Sequence, residues 1–296
     1  MENRHNTRGA FWLLVTPGAL WLTLFFLIPL AMIWGLSFGE KDGLIDVNIT
    51  GTLANYSRAF EPVYLKIFWK TLWVSALATL VTLIVAYPLA FFIAFSAPRI
   101  KPWLLMAVIL PFWINLLIRT YALIAVFRTR GYLNFSLEWL WNSAMLDRLI
   151  GPFEPLEILY NNTAVVIGLV YVYLPFMVLP LYAAIEKLDR SLLEVSVDLG
   201  ASQLTTLRRI TIPLTMPGIV TGSLLVFVLC LGTFLTPELL GGANAVMIGN
   251  VIERQFKAAN DWPFGAALSF FLMYLTFAAL GIRAYLSRAR YSGKKP

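Results

Sequence analysis

The stretch Ser191 to Pro213, SLLEVSVDLGASQLTTLRRITIP, is a charged, soluble-looking island between two long apolar segments. Ser191 followed three residues later by Glu194 forms a capping box, in which hydroxyl and carboxylate satisfy orphan amide donors at a helix start. Gly200 stands where that helix stops, because glycine enters the left-handed conformation without a steric cost. Ser202 is placed to cap a second short helix, which leads through Arg208 and Arg209 to Pro213. The pattern predicts helix, glycine turn, helix: a compact knob presented to another protein.

Composition identifies what carries the knob. Of 296 residues, 59% are hydrophobic and 13% charged, about half the charged share of roughly 25% in soluble domains. The chain reads as an integral membrane protein. The single cysteine, Cys230, excludes an intrachain disulfide. The net charge of +7 reflects basic cytoplasmic loops rather than nucleic-acid binding.

Working outward, long apolar runs mark six spans, each near or above the roughly 20 residues a bilayer requires. Gly9–Gly39 is the first, read as a retained helix because no small-residue cleavage site follows it. Thr71–Pro98, interrupted by Pro88, is the second, and the short basic turn at Arg99 and Lys101 makes it a hairpin with the next. The third runs from Pro102 to about Phe127 and carries Arg119. That arginine lies roughly 26 Å from the span's start, whence it snorkels to the far headgroups. Ile158–Ile185, broken by Pro175 and Pro180, Pro213–Thr236, and Trp262–Ile282 complete the set. Tyr132–Ile150 reads as an outer amphipathic helix with Leu137, Leu140, Trp141, Ala144 and Met145 on one face. Pro237–Asp261 is an external segment apolar enough to dip back into the protein, and Glu40–Lys70 is polar and irregular.

Charge orients this topology. Putting the N-terminus, the Arg99 turn, the 191–213 loop with its flanks and the tail inside gathers thirteen of the 23 basic residues there, at higher density than outside. Both termini and the knob are then cytoplasmic. The chain has no GxxxxGK[ST] phosphate loop, no HExxH or paired-cysteine site, and only His5 as a histidine. It therefore reads as a transport subunit, not an enzyme, with no metal site and no ATPase site of its own.

The spacing of Glu194, Gly200, Ile210 and Pro213 is similar to the EAA loop, the signature of permease subunits of bacterial ABC importers. Val195 and Ser196 replace that family's two alanines, and Ile212 its leucine. The segments PFWINLLIRTYA (111–122), GYLN (131–134), VYVYLPFMVLPLY (170–182), PELLGG (237–242) and NDWPFGAA (260–267) resemble the spermidine/putrescine branch. The resemblance implies an all-α type I importer fold with a cytoplasmic coupling helix. Residues 1–69 would form the first helix and a periplasmic loop, 70–283 the transmembrane domain, and 284–296 a basic tail. Glu194, Asp198, Gly200, Ala201, Ser202, Leu204 and Arg208 would meet separate ATPase subunits, which hold ATP and Mg while this chain binds no cofactor. Further implied partners are a second, homologous permease and a periplasmic substrate-binding protein. The implied location is the bacterial inner membrane, with no nucleic-acid partner. The substrate would be a polyamine or related small cation; an opine or amino-acid derivative is the nearer alternative, and a self-sufficient secondary transporter the distant one.

The six runs hold no Asp or Glu to bind such a cation. Aromatic faces can do so at about 0.5–2 kcal/mol each. Trp113, Tyr121, Tyr171, Tyr173, Phe176 and Phe234, with Asn115, are the candidate pathway, and Glu238, Asp261 and Trp262 lie near its outer mouth. The competing reading makes the aromatics lipid-facing or packing residues, and makes Glu238 and Asp261 receptor contacts or helix caps. Tight binding in a pore slows release, so no high-affinity substrate site is expected in this chain alone.

Overall fold

The computed structural model describes residues 4–43, 46–144 and 151–292, and is almost wholly helical. Helix α1 (Arg4–Leu22) continues through a wide turn at Thr23–Leu27 into α2 (Ile28–Leu36). Pro29 follows that turn, and its missing N–H removes one helical bond just where the backbone widens. A small hairpin comes next, with β1 (Gly39–Asp42) antiparallel to β2 (Asp46–Ile49) and Gly39 opposite Ile49. Then come α3 (Ala54–Ala59), α4 (Pro62–Phe95), α5 (Lys101–Trp113), α6 (Leu116–Phe127), α7 (Tyr132–Ser143) and α8 (Asn162–Ile185). The 191–213 region contains α9 (Arg190–Asp198), α10 (Gln203–Thr206) and a wide turn at Leu207–Thr211. The chain ends with α11 (Ile212–Gly232), α12 (Leu235–Leu240), α13 (Ile248–Lys257) and α14 (Trp262–Ser292). Met145 and the rest of the expected amphipathic helix to Ile150, like Lys294 and Lys295 of the tail, lie outside the described residues.

Two compact units emerge, one of residues up to Leu65 with those from Val251 onward, the other Lys66–Asn250. In the first, the irregular polar segment is tied to the end of α2. Asn55 Nδ2 donates to the carbonyls of Ser37 and Gly39 at 3.2 and 2.7 Å, and the Tyr56 hydroxyl pairs with Ser37 Oγ at 2.8 Å. In the second, the core runs along α4, α8 and α11 through Ala78, Ala86, Ala90, Leu169, Met177, Leu181 and Val226. Small residues on α4 and α11 let the backbones approach, as packing inside a membrane requires.

Four helical runs are long and apolar enough to cross a membrane: Phe11–Leu36, Pro62–Phe95, Asn162–Ile185 and Gln203–Gly232. The expected third span is broken instead: the chain bends by 95° between Lys101–Trp113 and Leu116–Ser143, and the pair makes a fifth candidate. Its causes are local. Pro111 weakens the end of α5, Ile114 is extended, and Asn115 Oδ1 accepts from the Leu117 N–H at 2.8 Å to start a new helix. Trp262–Ala278 is a shorter apolar helix.

Other boundaries move for physical reasons. The second span starts at Pro62, not Thr71, because Lys66 and Lys70 sit on a helix whose charge-free part begins later. Pro175 and Pro180 do not break α8, since membrane helices tolerate proline when neighbours re-satisfy the freed groups. The fifth span stops at Gly232, where Thr233 turns extended. The segment after it does fold inward, with Leu240, Met247 and Ile248 fully buried and the Ile248 N–H donating to Thr71 Oγ1 at 2.9 Å.

Candidate functional site

The loop after α8 begins with an exposed ion pair, Lys101 Nζ to Glu186 Oε1 at 2.6 Å, which ties the α5 start to the α8 end. Asp189, not Ser191, is the N-cap of α9: its Oδ1 accepts from the Ser191 N–H at 3.0 Å. These bonds to Ser191 hold the Asp189 carboxyl below its ordinary range. The Ser191–Glu194 capping box is therefore replaced by an Asp cap two residues upstream, and the Glu194 carboxylate stands exposed.

The end of α9 follows the expected glycine logic. Gly200 has φ +82. Its N–H donates to the Val197 carbonyl at 2.8 Å and the Ala201 N–H to Ser196 O at 3.0 Å, the two bonds of a Schellman cap. Ser202 then caps α10, accepting from the Thr205 N–H at 3.3 Å. Of the seven residues expected at a docking surface, Glu194, Asp198, Gly200, Ser202, Leu204 and Arg208 are exposed and Ala201 is half-buried. They stand among exposed Leu192, Val195, Val197 and Leu199, the last 83% exposed. An apolar tip with a charged border suits insertion into a groove on another protein.

The sequence marks Ser196 only as a replaced alanine and does not single out Thr206, Thr211, Thr215 or Tyr87. Ser196 Oγ and Thr206 Oγ1 are buried and 2.7 Å apart, joining α9 to α10. Thr211 Oγ1 donates to the Thr206 carbonyl at 3.4 Å, Thr215 Oγ1 to Thr211 O at 2.8 Å, and Thr215 Oγ1 pairs with the Tyr87 hydroxyl of α4 at 3.0 Å. A ladder of hydroxyls thus runs from the knob into the membrane helices. Beside it lies an apolar cleft of about 790 Å³, whose walls include Phe91, Phe95, Leu193 and Val197. Ser196 at a position where alanine is usual was the available signal: a small polar residue paired with a threonine ten residues on. Ser196→Ala, which also removes the bond its hydroxyl donates to the Leu193 carbonyl at 2.9 Å, is expected to lower stability by about 1–2 kcal/mol, the net worth of two buried hydrogen bonds. Thr206→Val, which loses only the shared bond, should cost about 1 kcal/mol, and the double variant no more than Ser196→Ala alone, as thermal melts in detergent would read.

The pathway candidates separate. Tyr173 and Phe176 of α8 come together, ring centroids 6.2 Å apart, and Phe176 meets Phe112 of α5 edge-on at 5.3 Å. The Tyr173 hydroxyl donates to the Leu229 carbonyl at 3.3 Å. Arg119 joins them: it is buried, only 6% exposed, with its guanidinium carbon 6.0 Å from the Phe112 centroid. The straight third span along which Arg119 was counted towards the far headgroups is absent, because the chain bends by 95° around Asn115. Trp113 and Tyr121 are largely exposed, Tyr171 and Phe234 less so, and Asn115 caps α6. Glu238 Oε2 accepts from Asn250 Nδ2 at 2.7 Å. In the other unit, Asp261 pairs with Arg58 at 2.9 Å and caps α14 by accepting from the Phe264 N–H at 3.2 Å. Trp262 Nε1 donates to Asn260 Oδ1 at 3.0 Å.

Apolar helices of membrane-crossing length with an exposed helix-turn-helix knob define a helical membrane protein. The chain belongs to the binding-protein-dependent transport system inner membrane components, whose family pattern matches residues 86–290. It is 45% identical over 275 residues to the spermidine/putrescine transport system permease protein PotB of Escherichia coli K12, covering 93% of this chain and 96% of that protein. PotB of Haemophilus influenzae is 42% identical over 255 residues, 86% of each chain. A chain of the crystal structure of a bacterial alginate ABC transporter, in complex with an alginate pentasaccharide-bound periplasmic protein, shares the fold at a TM-score of 0.72. That likeness carries 18% identity and covers 97% of this chain and 98% of the other.

Proposed function

We propose that this chain is the permease subunit of an ATP-driven importer that passes spermidine, putrescine or a related small cation from a periplasmic binding protein to the cytoplasm. The observation that carries the reading is the 45% identity over nearly the whole chain to the Escherichia coli spermidine/putrescine permease. The bent α5–α6 pair and α14 complete six spans with the four long apolar runs, and both termini face the cytoplasm. The α9–Gly200–α10 knob is the coupling helix. It docks on separate ATPase subunits that hold ATP and Mg, and a homologous second permease pairs with this one. The chain itself binds no cofactor and hydrolyses nothing.

The aromatic group of Phe112, Tyr173 and Phe176 supports weak handling of a cation in transit. High affinity belongs to the receptor. The test is reconstitution with the ATPase, second permease and receptor in lipid vesicles. Receptor-stimulated ATP hydrolysis and uptake of labelled spermidine are expected, with uptake suppressed by excess putrescine but not by an opine or a neutral amino-acid derivative. Suppression only by the latter two would move the substrate class and keep the importer. Uptake by this chain without ATP would overturn the importer reading.

A further inference from the structure

The apolar cleft beside the knob holds about 790 Å³, within the size range of ligand sites. Phe91, Phe92 and Phe95 of α4 line one side, and Leu193, Val197 and Leu207 of the knob region the other. The hydroxyls on its walls already have partners inside the chain. Tyr87 pairs with Thr215 and Thr206 with Ser196, while Thr211 donates to the Thr206 carbonyl and Ser96 to the Phe92 carbonyl at 2.7 Å. The interior therefore favours an apolar occupant. A cation stands at its edge. The Arg190 guanidinium carbon lies 5.0 Å from the centroid of Phe95, whose ring stacks on Phe91, and Arg190 Nη2 donates to the Ala94 carbonyl at 3.5 Å. Arg190 is exposed, and no ion pair among the described residues includes it. The acids beside it in sequence are engaged: Asp189 caps α9 and Glu186 holds Lys101. Phe92, in the last turn of a helix long and apolar enough to cross a membrane, is 62% exposed. The cleft thus continues onto the outer apolar surface of α4, close to where its apolar run gives way to Ser96 and Arg99.

We propose that this cleft binds an anionic phospholipid, with one acyl chain between α4 and the knob and the phosphate at Arg190, and that the bound lipid braces the knob against α4. Each part of such a molecule meets its chemical match. The chain covers aromatic and aliphatic walls, and the phosphate gives the unpaired guanidinium a planar, charge-assisted partner. Basic groups beside membrane helices take anionic headgroups in this way. A nucleotide or a sugar fits poorly, because the hydroxyls that line the cleft are already bonded. A free phosphate ion would leave the apolar walls uncovered. With a chain in place, the facing walls of α4 and α9 gain contact across the gap, which resists tilting of the knob. The bracing rests on the coupling reading of the knob given above; the binding does not.

The test uses the complete importer, equilibrated with phosphatidylcholine and phosphatidylglycerol and then repurified. Mass spectrometry of the complex should find phosphatidylglycerol retained in preference to phosphatidylcholine. Retention should be about fivefold weaker in Arg190→Gln, the worth of one basic side chain at an anionic lipid surface, and near the unmodified level in Arg190→Lys. Leu193→Trp fills the cleft without changing charge and should also weaken retention; if it does not assemble, Phe92→Gln on the exposed wall takes its place. Arg209→Gln removes an exposed arginine from the separate groove of Leu204, Thr205 and Arg208, and should leave retention unchanged. In vesicles, receptor-stimulated ATP hydrolysis should rise when phosphatidylglycerol is added to phosphatidylcholine, and Arg190→Gln should lose that rise. Equal retention of the two lipids, equal loss in Arg209→Gln, full retention in the cleft variant, or displacement by inorganic phosphate as readily as by phosphatidylglycerol would overturn the site. Selective retention with no rise in hydrolysis would overturn the bracing. Absence of receptor-stimulated hydrolysis in every lipid would count against the importer reading instead, and the retention series would still decide the site.

Discussion

Gly200→Val is expected to leave the transporter assembled but to reduce receptor-stimulated ATP hydrolysis about tenfold or more, while Gly200→Asn retains most of it. The backbone at this position has φ +82. A β-branched residue there costs about 1–3 kcal/mol, and 1.4 kcal/mol is already tenfold in an equilibrium. Nothing lies within 4 Å of where a Cβ would point. The penalty is thus purely conformational, and it ranks substitutions by their tolerance of the left-handed region: Asn best, Ala intermediate, Val worst. The strain falls on a helix of nine residues whose C-terminal carbonyls are satisfied only while Gly200 and Ala201 donate back to Val197 and Ser196. Relief of the strain breaks those bonds and re-aims α10. Hydrolysis measured with and without loaded receptor, beside co-purification of the ATPase, separates lost coupling from lost assembly. Normal stimulation in an assembled Gly200→Val complex would remove the knob's coupling role.

What could be seen in the sequence at this loop was what is local. Gly200 and Ser202 act through bonds to residues within a few positions, and such bonds leave their signature in residue type and spacing. The Ser191 cap failed for an equally local reason. Asp189 is as strong an N-cap as serine and adds a negative charge at the positive helix end, so the helix started upstream. Along the membrane helices the difficulty was different. Charge-free length locates a span but not its start, hence Pro62 in place of Thr71. It is also blind to direction, hence the missed bend at Asn115, although Pro111 and Asn115 both stood in view. Arg119 was placed by counting along a straight helix. The bend invalidated the count, and burial against α8 depends on neighbours far away in sequence.

The second large effect belongs to the crossing of α8 and α11, written in the sequence as Gly218-Ile-Val-Thr-Gly222, the small-xxx-small pattern of close membrane helices. A Cβ on Gly218 would stand 2.5 Å from the Ala184 Cβ and 2.7 Å from the Pro180 carbonyl oxygen. A carbonyl fixed in a helix cannot step aside, so the helices must separate. Gly218→Ala is expected to cost about 1–3 kcal/mol, and Gly218→Leu more, to the point of lost folding. Gly222 faces the Met177 sulfur at 2.9 Å, the far part of a flexible side chain that can turn away. Gly222→Ala should therefore cost less than Gly218→Ala, while Gly232→Ala, with nothing within 4 Å, should be neutral. Adding Ala184→Gly to Gly218→Ala removes one of the two obstructions and leaves the carbonyl, so rescue should be partial. Thermal stability in detergent orders the series, and equal losses at Gly218 and Gly232 would show that glycine flexibility, not helix proximity, governs the site. Because α11 begins at the end of the hydroxyl ladder from the knob, any wedge between α8 and α11 also tilts the element through which the coupling helix reaches the membrane. A mild variant such as Gly222→Ala should then weaken coupling before it weakens folding.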